Sequence, residues 1–531
     1  MKNLRLLFLL CVLSQSSCES FLKTEPINFD SPETFYKTEQ ELTSALMAVY
    51  SELGNINQGT YSRFLSLEAS ASNDEIVRRG SNTTISADAF NTTASYDNFF
   101  ICWTTLYSGI QRANLLLENL DKAQVSQKVK DKIKGEALFL RAYYHFILVA
   151  YWGDVPLKLT ATTSVNQINI PRVKSQKVYE AVIQDMTAAY TLVDDITNIN
   201  HSGRVSKTAV AGILSRVCLY AGGRLQNISF YALAKNWALV VIKSGIHALN
   251  SDYKQIFINH IVDIYDIKES IWEVEFNHDN GSQIDEGERF SSTIGIRNTD
   301  DKTGFMQGNY TATGTLYNLY GEGDSRKDWN ISSFYYQDND RNNPAILYPT
   351  NYIWGRYIGK WRREYQTKEF NKNFGGTNWP LLRYADVLLM FAEAENFING
   401  PTTEAYNAVN QVRRRAYSIP VNQTNPLADL PFGLDKQTFS NWIKDERSRE
   451  LAFEGLRKLD LLRWGLLENT MQKMVNSINT TAPVASRSLL GYSGRESTLR
   501  PYQNFTSRDV LFPIPTQEMS LNSMITQNAG W

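Results

Sequence analysis

Apolar residues recur at helical spacing through the first half of the chain. Between residues 40 and 53, for example, Leu42, Leu46 and Val49 fall on one face of a predicted helix. The same spacing predicts further helices over residues 99–120, 129–151, 175–192, 206–220 and 231–244. Ser206 is a typical N-cap residue for the fifth of these. Because short turns separate the helices, the pattern predicts stacked helical hairpins.

The middle of the chain has a different pattern. Residues 251–376 are rich in Asn, Asp, Gly, Thr and aromatic residues, with short runs that predict strands over 270–276 and 352–361. Irregular stretches of this length usually carry a site. Helical spacing returns over residues 382–397, 402–416 and 439–456. We therefore predict a mainly α fold of tetratricopeptide-like helical hairpin repeats with an inserted loop-rich subdomain.

The N-terminus carries the pattern of an export signal. Lys2 and Arg5 precede a short apolar run and then small residues, an order typical of a secretory signal peptide over residues 1–17. Cys18 follows two serines and resembles the lipidated cysteine of a bacterial lipobox, although Gln15 replaces the usual Leu. We expect acylation of Cys18 to hold the mature chain on a membrane. Cleavage without lipidation is the alternative.

These changes of pattern set the expected domains. After the signal peptide we expect an N-terminal helical region over residues 18–250 and a variable loop-rich region over 251–376. A C-terminal helical region is expected over 377–531. The helical regions are expected to form the frame, and the loop-rich region is expected to lie on it.

Composition narrows the function classes. The 531 residues include 54 basic and 55 acidic side chains, and the net charge of -1 argues against a nucleic-acid partner. Hydrophobic residues make up 43% of the chain and charged residues 21%, which indicates a globular protein. Two of the four cysteines, Cys102 and Cys218, lie inside helical patterns. We expect buried free thiols there rather than a disulfide.

Aromatic residues make up 12% of the chain, and their rings can stack on the C–H faces of sugars. Two polar stretches combine such rings with planar polar groups, as a sugar-binding site requires. The candidate ligand-binding residues are Asn73, Asp74, Arg79 and Tyr96 in the first stretch, and Tyr335, Tyr336 and Trp354 in the second. Arg78 and Arg79 leave an anionic ligand open as an alternative.

Catalytic patterns have little support in the sequence. Glu446 and Glu450 share one face of a predicted helix, and a glycosidase needs two carboxylates around its substrate. Because Arg447, Arg449 and Arg457 lie among and after them, we expect charge compensation instead. The histidines lack metal-ligand spacing, so we expect no enzyme activity, no metal and no cofactor. The charged residues expected to form ion pairs between hairpins are Arg141, Arg383, Asp386, Glu446, Arg447, Glu454 and Arg463.

Several motifs occur in the order of one known family. They are Trp103 and the segments 18–26, 135–157, 203–207, 382–394, 446–464, 513–515 and 527–531. The clearest are residues 139–144 and 151–156. By these motifs the chain resembles the SusD/RagB family of surface lipoproteins of Bacteroidetes.

The resemblance implies a glycan-binding protein, not an enzyme, that is lipid-anchored in the outer membrane and faces outward. Such proteins capture oligosaccharides and deliver them to a TonB-dependent transporter of the SusC type. The resemblance also implies that the two polar stretches meet at one site. A RagB-like peptide-binding protein remains an alternative, and a surface glycoside hydrolase is the alternative from a different class.

Overall fold

The computed structural model describes residues 35–54, 59–80, 85–277, 287–302, 304–367, 372–485 and 490–531. The predicted signal peptide over residues 1–17 and the predicted lipidation site at Cys18 lie outside them. The helices are α1 Glu39–Tyr50, α2 Asp97–Asn119, α3 Gln127–Trp152, α4 Ser175–Leu192, α5 Ile196–Ile199, α6 Lys207–Leu225, α7 Ile228–Lys243, α8 Tyr253–Val262, α9 Phe290–Thr293, α10 Gly314–Leu319, α11 Arg326–Asn330, α12 Tyr384–Asn399, α13 Thr403–Ala416, α14 Lys436–Leu451, α15 Arg457–Arg463, α16 Leu467–Thr481, α17 Arg495–Asn504 and α18 Thr516–Leu521. The strands are β1 Ile76–Arg78, β2 Ser270–Val274, β3 Tyr310–Ala312, β4 Phe334–Tyr336, β5 Ala345–Leu347 and β6 Trp379–Arg383.

The longer helices form a continuous stack. In the N-terminal half, α1 packs on α2, α2 on α3, α3 on α4, α4 on α6 and α6 on α7. The stack then continues from α7 to α12, which comes after the loop-rich region in the sequence, and α12 packs on α13 and α14. This arrangement confirms the mainly α prediction and agrees with stacked helical hairpins.

Helix α3 is the most deeply buried part of the stack. Ser126 caps its N-terminus by accepting a hydrogen bond from the Val129 amide, and Gly153, with a φ of +75°, ends it. Residues 135–152 are all buried, and the polar side chains among them, such as Arg141 and His145, have hydrogen-bond partners within the protein. Gly109 of α2 allows a close approach to α3, because a Cβ there would lie 2.4 Å from the Tyr144 ring.

Two short two-stranded sheets, β1–β3 and β2–β6, attach the loop-rich region to the rest of the chain, and a third, β4–β5, lies within that region. The pairs β1–β3, β2–β6 and β4–β5 are all antiparallel. Strand β2 confirms the strand predicted over residues 270–276, and its partner β6 leads directly into α12. The strand predicted over 352–361 is wrong. This segment pairs through isolated bridges at Tyr357 and Ile358, because Gly355 has a φ of +78° that interrupts an extended run.

The apolar core has two parts. The larger part lies between the stacked helices. The smaller part lies beneath the loop-rich region, where Trp354 and Tyr357 pack with Val77 of β1. Cys102 and Cys218 are buried free thiols, as predicted. In the ranges that the structure describes, no helix combines the length and hydropathy that crossing a bilayer requires.

Candidate functional site

The charged residues of the helical frame form a buried network of ion pairs. Arg383 lies 2.8 Å from a carboxylate oxygen of Glu269, 3.0 Å from Glu450 and 2.8 Å from Glu454. These four side chains come from three segments of the chain, since Glu450 and Glu454 are four residues apart, and Arg383 ties the three segments together. The other residues expected to form ion pairs also do so: Arg141 pairs with Asp185, Arg447 with Asp386 and Asp460, and Arg463 with Glu393.

The network leaves Glu446 and Glu450 poorly suited to acid–base catalysis. Both side chains are fully buried. Burial acts to raise the pKa of Glu450, but the charges of Arg415 and Arg383 outweigh it and lower that pKa to about 2. Glu446 likewise has a lowered pKa, since the nearby arginines, Arg326 above all, outweigh its burial. A glycosidase acid needs the opposite shift. The pair therefore compensates arginine charge, as the sequence predicts.

The first polar stretch begins with a turn that its own side chains hold in place. Asn73 is 1% exposed, and its Oδ1 accepts hydrogen bonds from the amides of Glu75 and Ile76 at 2.8 and 3.2 Å. The Asp74 carboxylate accepts two hydrogen bonds from the Arg457 guanidinium, at 2.9 and 2.6 Å. In this conformation the two candidates therefore shape the loop.

Glu75 is a buried carboxyl in the same turn. Its Oε1 accepts a hydrogen bond from the Ser448 hydroxyl at 2.8 Å. Arg457 lies 3.6 Å from the same oxygen, but its two short bonds go to Asp74. Burial therefore dominates and raises the pKa of Glu75 to about 8. The carboxyl is mostly protonated at neutral pH.

Arg79 joins the first stretch to the loop-rich region. Its backbone amide donates to the Asn309 carbonyl at 2.6 Å, and its Nη1 donates to the Tyr357 hydroxyl at 2.8 Å. Burial raises the pKa of Tyr357, whereas the charges of Arg79 and Arg297 act to lower it, so both guanidinium groups lie near this hydroxyl. Among the residues that the structure describes, neither arginine forms an ion pair with a carboxylate.

A row of tyrosines supports the second polar stretch. The ring of Tyr335, in β4, lies 5.2 Å from that of Tyr348, which stacks on Tyr352 at 5.3 Å with an interplanar angle of 3°. Tyr357 belongs to the same apolar cluster. We call Tyr335, Tyr348, Tyr352 and Tyr357 the tyrosine row. Tyr335 is its half-exposed member, and the other three are buried.

The other three candidates make contacts within the protein. Tyr336 is 7% exposed, and its hydroxyl donates to a carboxylate of the loop-rich region. Trp354 is 1% exposed and donates its indole N–H to the Thr481 hydroxyl at 3.0 Å. Tyr96 donates to Glu68 at 2.6 Å in the helical frame. Arg79 and Tyr335 therefore each contact a member of the tyrosine row, whereas Tyr96 packs with the main core.

Sequence reasoning did not select Arg297, Asn309 or Tyr357. Arg297 and Asn309 lie in the predicted loop-rich region, but no sequence pattern singled them out within it. We call Arg79, Arg297, Asn309 and Tyr335 the loop-face site, and all four side chains are half-buried. Guanidinium and amide groups are planar hydrogen-bonding groups, and a tyrosine ring adds an apolar platform. This combination suits a ligand rich in hydroxyl groups.

A helical-repeat frame that carries a polar and aromatic face built from loops is an architecture typical of ligand-binding proteins. Two family models match this chain. The model described as "SusD family" matches residues 268–531. The model described as "Starch-binding associating with outer membrane" matches residues 20–219. The chain belongs to the SusD-like family, which confirms the resemblance noted in its motifs.

Individual relatives extend this similarity over nearly the whole chain. The SusD-like protein P25 of Formosa agariphila is 27% identical over 558 residues, covering 98% of this chain and 97% of the relative. A SusD homolog from Bacteroides thetaiotaomicron is 27% identical, with a TM-score of 0.84 over 94% of this chain and 98% of that one. A solved laminarin-binding SusD-like protein is 23% identical, with a TM-score of 0.71 over 93% of this chain and 100% of that one.

Proposed function

We propose that this chain is a lipid-anchored glycan-binding protein of the outer membrane that captures oligosaccharides on the loop-face site. It holds the ligand without cleaving it and delivers it to a TonB-dependent transporter of the SusC type. Acylation at Cys18 anchors the mature chain, with the binding face directed outward.

The observation that carries this proposal is the bond between Arg79 and Tyr357. It joins two stretches that are far apart in the sequence, and the tyrosine row continues from it to the half-exposed ring of Tyr335. A glycan that stacks on this ring and extends along the row to Tyr357 meets the guanidinium groups of Arg79 and Arg297, which can bond its hydroxyls. The laminarin-binding relative supports a glycan as the ligand, since its fold is shared over most of both chains.

The buried carboxylates support binding without hydrolysis. A hydrolase would need Glu446 and Glu450 as its catalytic carboxylates. Arginines inside the protein hold both groups ionised. They are fully buried, so they have no open space in which to flank a glycosidic bond.

Isothermal titration of the mature protein against oligosaccharide and peptide panels tests the ligand class. We expect Tyr335→Ala and Arg79→Gln each to weaken glycan binding about tenfold, because each removes one stacking or charged hydrogen-bond contact. Phe432→Ala is the matched control, since this ring is 83% exposed in a different loop. Peptide binding without glycan binding contradicts the proposal and favours the RagB-like alternative. Hydrolysis of a bound oligosaccharide favours the enzyme.

Membrane fractionation tests the anchor separately. We expect the wild-type chain to carry a labelled fatty acid and remain with the outer membrane, and Cys18→Ala to abolish labelling. Co-purification of a TonB-dependent transporter with the wild-type chain tests the delivery step. Unlabelled wild-type protein retained inside the cell contradicts both.

A further inference from the structure

A second cavity lies in the helical frame, built from residues outside the loop-face site. It has a volume of about 670 Å³ and lies where α7, α12 and α14 meet the end of α6 and the end of α15. Pockets that hold small ligands span about 300–1,000 Å³. We call this cavity the basic pocket and define it by Arg224, Glu393, Asn396, Lys436, Lys444 and Trp464, which line it.

The lining of the basic pocket has an excess of positive charge. Its cationic side chains include Arg224, Lys436 and Lys444, while Glu393 is the carboxylate of the lining. Glu393 is already engaged, since it accepts hydrogen bonds from Arg463 at 2.8 Å and from the Trp464 indole at 2.7 Å. In the part of the chain that the structure describes, Arg224, Lys436 and Lys444 form no ion pair. Three cations therefore line one cavity without a carboxylate partner, although Lys436 Nζ donates to the Phe397 carbonyl, and this excess of positive charge favours an anion.

Asn396 adds an unpaired hydrogen-bond acceptor to the lining of the basic pocket. It is 3% exposed, and its Nδ2 donates to the Lys436 carbonyl at 3.0 Å. Its Oδ1 is buried and has no hydrogen-bond partner among the described residues. Leaving a buried acceptor unpaired is costly, so this oxygen calls for a donor from a ligand. An ammonium donor is disfavoured beside three cations, whereas a hydroxyl group is suitable.

Aromatic side chains complete the wall. Tyr231 and Phe397 stack with their ring centroids 3.7 Å apart, and Phe397 remains 38% exposed. Half-buried Trp464 lies on the same lining. Lys436 Nζ lies 5.2 Å from the Phe397 ring centroid and Lys444 Nζ lies 5.6 Å from that of Trp464, so each of these rings lies beside a cation. The cavity therefore offers aromatic rings, one buried acceptor and cations without a carboxylate partner.

We propose that the basic pocket binds an acidic sugar residue, one that carries a carboxylate or a sulfate ester. A sugar hydroxyl donates to Asn396 Oδ1, and the anionic substituent accepts charged hydrogen bonds from Lys444, Lys436 and Arg224. The pocket is separate from the loop-face site, so it gives the protein a second point of contact for acidic glycans.

Titration calorimetry on the mature protein tests this proposal with defined probes. The probes are an oligogalacturonate, a sulfated galactan oligosaccharide, a neutral cello-oligosaccharide of the same length, and inorganic sulfate. We expect one or both acidic oligosaccharides to bind at this pocket. The affinity for the neutral oligosaccharide should be the same in the wild type and in the pocket variants. Comparison of the two acidic probes identifies the anionic group.

Matched variants locate the binding. Lys444→Gln and Arg224→Gln are each expected to weaken acidic-sugar binding about tenfold, the effect of removing one charged hydrogen bond. Arg224 is exposed, so its replacement leaves the core intact. Lys243→Gln, an exposed lysine of α7, and Tyr335→Ala, in the loop-face site, are expected to leave this affinity unchanged.

Three results overturn the proposal. One is equal affinity of Lys444→Gln, Arg224→Gln and wild type for both acidic oligosaccharides. Another is binding of inorganic sulfate as tight as that of the acidic sugars, which makes the pocket a simple anion site. The third is tighter binding of an oligoglutamate peptide, used as a fifth probe, than of either acidic oligosaccharide, which assigns the pocket to a protein partner. An unchanged glycan affinity in Tyr335→Ala would count against the loop-face site and so against the proposed function, but it would not bear on the basic pocket.

Discussion

Replacing Glu75 by Gln is expected to remove the part of the pH dependence of the unfolding free energy that this carboxyl contributes. Burial raises the pKa of this carboxyl from 4.5 to about 8 in the folded protein. Because the folded pKa is the higher one, the protonated carboxyl contributes stability that is fully present below pH 4.5 and is lost as the pH rises through about 8. At 1.36 kcal/mol per pKa unit, the loss amounts to about 5 kcal/mol.

The Glu75→Gln variant keeps an acceptor for the Ser448 hydroxyl but does not titrate. We expect it to match the wild type near pH 4.5 and to exceed it by a few kcal/mol at pH 8.5, measured by urea unfolding followed through tryptophan fluorescence. Glu322→Gln, at an exposed carboxylate, is the control and should follow the wild type at every pH. Parallel curves for Glu75→Gln and wild type would refute the inference that Glu75 is held protonated.

Three further changes test other parts of the structure. Glu450→Gln leaves buried arginines without their carboxylate, and we expect a loss of about 3–5 kcal/mol in the free energy of unfolding, measured by urea titration. Trp354→Ala removes a buried ring and should cost about 3–5 kcal/mol in the same assay. Tyr335→Ala should change the unfolding free energy little and lower the ligand affinity instead. Equal losses of unfolding free energy in the two variants would contradict the assignment of one ring to the core and the other to the surface. Gly109→Ala places a methyl group 2.4 Å from the Tyr144 ring, so we expect a melting temperature below that of the wild type; an unchanged melting temperature would show that this ring can move aside.

The helical frame could be predicted well because its signals are local. Helix α4 has the predicted bounds, and Ser206 and Thr402 cap α6 and α13 through their side chains. Periodic apolar residues and a cap lie within a few positions of each other, so the sequence alone contains the pattern. The ion-pair network was also predictable in kind, since charged residues on packed helices require partners. Which residue pairs with which depends on the helix stack and was not predictable.

The loop-rich region was harder to predict because its contacts are between distant segments. Strands β1 and β3 are three residues each, and their pairing joins positions more than 200 residues apart. Composition identified an aromatic surface but gave no period that separates inward from outward rings. The sequence therefore could not distinguish Trp354, which is buried, from Tyr335, which is half-exposed. Arg79 was selected without its partner, because Tyr357 lies 278 residues further along the chain.

Helices α7 and α12 are neighbours in space, although the whole loop-rich region separates them in the sequence. The paired strands β2 and β6 fix the two ends of that region against the helices. The intervening segment also contributes Arg326, which pairs with Glu446 and Glu450, and Lys360, which pairs with Glu454, so its exchange leaves the buried network intact only where these two cations are retained. A graft of this segment between related scaffolds must therefore carry both cations with it.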